Sequence, residues 1–198
     1  MAEAKRPQPV QLVIGVIFGD RDVLPPLETE LEHAVGTIES RSPVYAFDVT
    51  DYYGEEMGGG LKRIFYSFVD MISPERIVDV KVLANEIERR FSVGGDRRVN
   101  IDPGYMDFHK LVLASVKFLG QKIYLGKGVY ADPTLYYDKG WKSYDWGFLD
   151  FRDGRYNGFL TLVRIAYKEK LRRLGSARNL VAGHGGIEGS GSGAGEDT

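Results

Sequence analysis

The run Val10-Gln-Leu-Val-Ile-Gly-Val-Ile-Phe18 carries one polar side chain, Gln11, and is dense in Val and Ile. Branched side chains suit a pleated, packed surface, so the run reads as a buried first strand. It falls well short of the roughly 20 apolar residues that a membrane span needs. It lacks a small-residue cleavage site and ends at Asp20, so it does not read as a secretory signal either. The chain has no cysteine, which removes disulfides, thiolate metal sites and cysteine nucleophiles. A reduced, cytoplasmic setting with no membrane partner is the expectation.

The rest of the chain alternates helix and strand signals. Asp22 is placed to cap a helix carrying Leu24, Leu27, Leu31 and Ala34 on one stripe, with Pro25 and Pro26 in its first turn and Gly36 at its end. Ile38 to Phe47 reads as strand two and Leu61 to Ile72 as strand three. Ser73-Pro74-Glu75 opens a second helix, whose face is Ile77, Val80, Leu83, Ala84, Ile87 and Phe91. Val99 to Asp102 is read as strand four, ending in an Asp-Pro-Gly turn. Leu111 to Ser115 reads as a strand buried on both faces. Gln121 to Tyr130 and Pro133 to Tyr137 continue as an antiparallel meander. Asp153 precedes a last helix with Phe159, Leu162, Val163 and Ala166 on one stripe. The order predicts an α+β fold, a ferredoxin-like β-α-β-β-α-β core with a meander and a C-terminal helix. A doubly wound sheet is the alternative, and the meander argues against it.

Residues 1–174 are expected to form one domain. From Gly175 on, eight of 24 residues are glycine, and this tail is expected to be disordered. The tail carries Arg178 against Glu188, Glu196 and Asp197. The net charge is −2, so the body is neutral. A neutral body disfavours a nucleic acid partner, because phosphate binding calls for a basic excess.

Three segments carry candidate chemistry. Asp48-Val-Thr-Asp-Tyr-Tyr-Gly-Glu-Glu56 gathers Asp48, Asp51, Glu55 and Glu56. Clustered carboxylates suit magnesium, and Asp102 is the expected partner from another segment. A solvated acidic loop capping a helical turn explains the same residues. Tyr52 and Tyr53 offer a flat surface for stacking a ring. Asn100-Ile-Asp-Pro-Gly-Tyr105 places Asn100 and Tyr105 at the rim of a turn. Gly126-Lys127-Gly128 invites a phosphate reading, with Lys127 and the upstream Lys110 facing an anion. It is not a P-loop: Lys127 is followed by Gly, and no helix follows. A hairpin or bulge is the plainer reading. Asp51-Tyr-Tyr-Gly54 shares the DxxG spacing of GTPases, but no P-loop accompanies it. Three scattered histidines make no metal motif, and His109 beside Asp107 reads as structural.

The same segments carry a resemblance. FDVTDYYGEEMG, NIDPGY followed by KLVLASVK, and KIYLGKGVYAD resemble the bacterial domain-of-unknown-function family numbered 4416, over roughly Pro9 to Leu174. Asn85-Glu86 matches as well. Gly54 stands where many relatives carry an acid or polar residue, and Lys122 where relatives tend to carry His or Arg. Some relatives bear a GTP-binding label; the family implies no catalytic residue.

The expected function is binding of a small anionic, ring-bearing, nucleotide-like ligand. Tyr52, Tyr53, Asn100, Tyr105, Lys110 and Lys127 would contact it, and Asp48, Asp51 and Asp102 would hold magnesium. These residues fit a binder and an enzyme alike. The alternative is a non-catalytic RNA-binding or protein-interaction module displaying Phe65, Tyr66 and Phe68 on a sheet.

Overall fold

The computed structural model describes residues 1–50 and 53–184. Strand β1 (Val10–Phe18) is buried along its whole length. Asp20, not Asp22, caps the turn that follows: its carboxylate accepts the Asp22 amide at 3.0 Å. Helix α1 (Leu24–Val35) keeps Pro25 and Pro26 in its first turn and ends at Gly36, where φ is 107°. The expected second strand is two pieces, β2 (Ile38–Arg41) and β3 (Tyr45–Ala46). Between them Ser42 turns inward, with Pro43 beside it. Its hydroxyl accepts the Phe65 amide at 2.9 Å and its own amide donates to Phe65 O at 2.9 Å.

A single turn, α2 (Gly54–Met57), leads to β4 (Lys62–Ile72). Helix α3 (Ile77–Arg90) follows the Ser73-Pro74 start. Strands β5 (Val99–Met106), β6 (Lys110–Ser115), β7 (Ile123–Gly126), β8 (Val129–Tyr137) and β9 (Trp141–Ser143) complete one nine-stranded sheet. The turn α4 (Leu149–Arg152) and the long helix α5 (Asn157–His184) close the described chain. Helix α5 runs past Leu174, where the glycines suggested a boundary, and the remaining tail lies outside the described residues.

The fold is a mixed α+β one built on a large antiparallel sheet, with strands in the order β2-β4-β1-β5-β6-β8-β7. Both faces are covered. One core lies against α1 and α3 and includes Leu12, Ile14, Tyr66, Phe68, Ile87 and Ile101. The other lies against α4 and α5 and includes Val13, Phe65, Leu113, Phe151, Phe159 and Leu160. Phe65, Tyr66 and Phe68 are therefore buried, so these sheet aromatics form no platform for RNA. Leu162, expected on the inner stripe of α5, points outward at 66% exposure, and Tyr167 takes the inner position instead.

Asp102-Pro103-Gly104 is not a turn. Strand β5 runs straight through it, pairing Pro103 with Ile14 and Gly104 with Val13 of β1. Proline survives here because its missing N–H falls where β5 has lost its other neighbour: the ladder to β6 begins only at Gly104. Gly104 serves close approach. A Cβ there would lie 2.5 Å from Val112 O and 2.7 Å from a Leu113 methyl. The two strands touch at Gly104 to Met106 and part on the N-terminal side of β5, and this split organises the site.

Candidate functional site

Where β5 and β6 part, a cavity of about 580 Å³ opens. Its walls come from the segment after β3, from α3, from the β6–β7 connection and from the β9–α4 connection. A strand edge facing a gap leaves polar backbone groups without partners. Here side chains of α3 take the place of the missing strand. Lys81 Nζ donates to Ile101 O at 2.8 Å, and Glu88 Oε1 accepts the Ile101 amide at 2.6 Å. Both side chains are buried. Burial pushes the Glu88 carboxyl above the usual range, and its nearby partners Lys81 and the Ile101 amide offset this only in part.

The floor is a charged network. Buried Arg63 donates to Asp150 and, at 3.0 Å, to Asp102. Burial alone would lower the guanidinium pKa, but Asp150 and Asp102 outweigh it and the pKa is raised. The same guanidinium lies 4.8 Å over the Phe47 ring, and Tyr156 donates its hydroxyl to Asp150 at 2.8 Å. On the far wall, buried Lys122 pairs with Asp132 at 3.0 Å and donates to Ser115 Oγ at 2.9 Å. At the α3 side, Arg97 donates to both Glu56 oxygens at 2.6 Å and to Asn100 Oδ1 at 3.0 Å. The hydrogen bonds from Arg97 hold Glu56 below its ordinary pKa.

Among the described residues, two buried donors in this lining, Asn100 Nδ2 and Arg63 Nε, have no partner. Asn100 is 5% exposed, and its carbonyl is already committed to Arg97. An amide left unpaired at such depth costs about 1–3 kcal/mol, unless something that enters the cavity accepts from it. Aromatic side chains ring the mouth: Phe118 and Trp146 are more than half exposed, and Phe148 nearly so.

Of the residues anticipated from sequence, Tyr53, Asn100 and Asp102 line this cavity. Asp51 and Tyr52 lie outside the described residues, as does the side chain of Glu55. Tyr105 is partly buried in β5 against the α1–α3 core, and burial raises its pKa. Lys110 pairs with Asp107. Lys127 tips the β7–β8 hairpin and pairs with Asp79 of α3 at 2.8 Å, exposed to solvent. Neither lysine faces the cavity. Gly126-Lys127-Gly128 is a hairpin, with all three residues at positive φ.

Asp48 and Asp102, two of the carboxylates expected to share magnesium, are each held by a different arginine. Asp102 belongs to Arg63. Asp48 pairs with Arg155 at 2.8 Å, which holds its pKa below the ordinary value. Asp48 lines a different cavity, of about 520 Å³, beside Gly58 to Gly60, Arg21 and Lys62. Among the described residues no group of three or more His, Asp or Glu side chains converges as metal ligands would.

Sequence reasoning passed over Lys81, Glu88, Arg97, Lys122, Asp132 and Asp150. A signal existed for two of them. Ile77, Lys81, Ala84 and Glu88 recur at spacings of four, three and four, so both charges sit on the buried stripe of α3.

Residues 8–167 match the model of the family described as Domain of unknown function (DUF4416). No curated protein and no solved structure matches the chain. Among the described residues no helix is long and apolar enough to cross a membrane. The match takes in every described strand, α3 and the whole described cavity lining, and the chain belongs to the DUF4416 domain family.

Proposed function

We propose that the cavity between β5 and β6 binds a small, ring-bearing ligand with an oxygen acceptor or oxyanion, of the size of a nucleotide. The observation that carries this reading is the buried, unpartnered Asn100 Nδ2 among a floor of paired charges. An amide donor held by Arg97 through its own carbonyl is fixed in orientation before any ligand arrives, and such preorganisation favours binding. Arg63, Lys81, Arg97, Lys117 and Lys122 line the cavity together with Glu88, Asp102, Asp132 and Asp150. Donors on these cations beside the Asn100 amide suit an oxygen acceptor. The aromatic side chains at the mouth supply the stacking surface that a ring needs. The volume is that of an ordinary small-molecule site.

The order β2-β4-β1-β5, with helices α1 and α3 as crossovers, supports a ferredoxin-like first half. The β6–β9 meander then adds the far wall of the cleft. In this reading recognition rests on Asn100 and the paired cations, and magnesium enters only as a companion of a bound phosphate.

A thermal-shift panel tests the proposal: nucleoside mono- and triphosphates at millimolar concentration, with and without magnesium. At least one member should raise the midpoint of the wild-type chain by several degrees, and the shift should vanish in Asn100→Ala. A panel with no shift, or a shift that survives in Asn100→Ala, would overturn it.

A further inference from the structure

The sheet ends on two very different edges. The β2 edge is charged and occupied: Glu39 is paired with Lys170 at 2.7 Å and Arg41 with Glu28 at 2.8 Å. Charges of this kind are how proteins keep an edge strand from pairing with another chain. The β7 edge has no such guard. Among the described residues no strand pairs with its outer side. Of the cations beside it, Lys122 is buried and held by Asp132, and Lys127 at the hairpin tip is paired with Asp79 of α3. Ile123, Tyr124 and Leu125 are 61%, 60% and 41% exposed, so apolar groups project from both faces of the strand.

The patch continues into the loop before β7. Phe118 and Tyr124 both pack on Tyr130, at ring distances of 5.7 and 5.3 Å, and Val116 and Leu119 are also exposed. At these exposures, on side chains of about 150–200 Å² each, the six leave on the order of 600 Å² open. A stable interface takes about 800 Å² per partner, of which a little over half is apolar, so the patch is large enough to supply that share.

We propose that β7 pairs antiparallel with β7 of a second copy of this chain about a two-fold axis, with Phe118 and Leu119 packing across the junction. An antiparallel edge is self-complementary under a two-fold, since each copy offers the same donors and acceptors to the other. The pairing joins the two sheets into one continuous sheet and covers both apolar faces of β7.

Sedimentation equilibrium of the full chain at 10–100 µM tests it. The wild type is expected at twice the 22.2 kDa chain mass. Ile123→Lys with Tyr124→Lys should be monomeric, with an unchanged circular dichroism spectrum. A wild-type monomer across the range overturns the proposal, and so does a folded variant that stays dimeric. Hydrogen exchange on the unmodified chain gives a test that needs no substitution. The β7 amides should exchange more slowly as concentration rises, and rates independent of concentration count against the pairing.

Discussion

Arg63 ties together acids that lie far apart in the chain, Asp102 from β5 and Asp150 from α4, and it is buried with Asp150. Removing it leaves the buried Asp150 carboxylate and the half-buried Asp102 without their cation. Arg63→Met should lower unfolding stability by about 3–5 kcal/mol. Adding Asp150→Asn should restore part of that loss. Denaturant unfolding of the three chains checks both steps. Glu88 poses the opposite case, a carboxyl whose folded pKa lies above its ordinary value because of burial. A raised carboxyl contributes stability below the ordinary value of about 4.5, and loses it as pH climbs through the folded value. The wild type should therefore gain on Glu88→Gln as pH falls from 7 toward 4.5. Paired melts across that window read the difference, and a gap that stays flat would mean that Glu88 titrates normally.

The break between β5 and β6 is where local chemistry and tertiary context disagree. Asp-Pro-Gly has the residues of a turn, and nothing in those three letters says that β1 will hold them extended. What decides the matter lies elsewhere in the chain: a β1 partner at every position of β5, and Val112 pressed against Gly104. Gly104→Ala should cost about 1–3 kcal/mol through that clash, read as a lower unfolding midpoint. A neutral outcome would mean that β6 is free to move away. By contrast, strands β1, β4 and β6 and helices α1 and α3 were legible, because an apolar stripe with capped or glycine-marked ends survives any neighbour. The meander was legible only in outline, since Gln121 to Tyr130 spans β7, the hairpin and the start of β8, and β8 continues to Tyr137. Proline split strand two by a local rule that the apolar pattern alone concealed. Helix α5 shows the same division. Its docking is visible in Tyr167, which donates to Pro9 O at 2.9 Å, and in Lys170, which reaches Gln11 and the Phe68 carbonyl at 2.8 Å. Truncation after Ser176 leaves those contacts in place and should shift the melting midpoint by no more than about two degrees.

At the scale of the molecule, one sheet is covered on both faces, and of the two cavities described the larger lies where the sheet parts. Tyr53, Asn100 and Asp102, singled out from sequence, line this cavity, whereas Lys110 and Lys127 do not. The reason is geometric. Lys127 tips a hairpin that projects past α3, while Lys122 at the start of the same hairpin turns inward. A one-dimensional cluster of carboxylates likewise says nothing of the arginines that come to meet it from Arg97 and Arg155. Trp146 makes the central claim measurable, because it lines the cavity mouth at 52% exposure whereas the other tryptophan, Trp141, is 7% exposed. Titration of the full chain with a nucleoside triphosphate, followed by tryptophan emission, should give a saturable change. That change should be absent in Trp146→Phe, and the dissociation constant should rise about tenfold or more in Asn100→Ala. An identical change in Trp146→Phe, or an unaltered constant in Asn100→Ala, would contradict the assignment of this cavity as the ligand site.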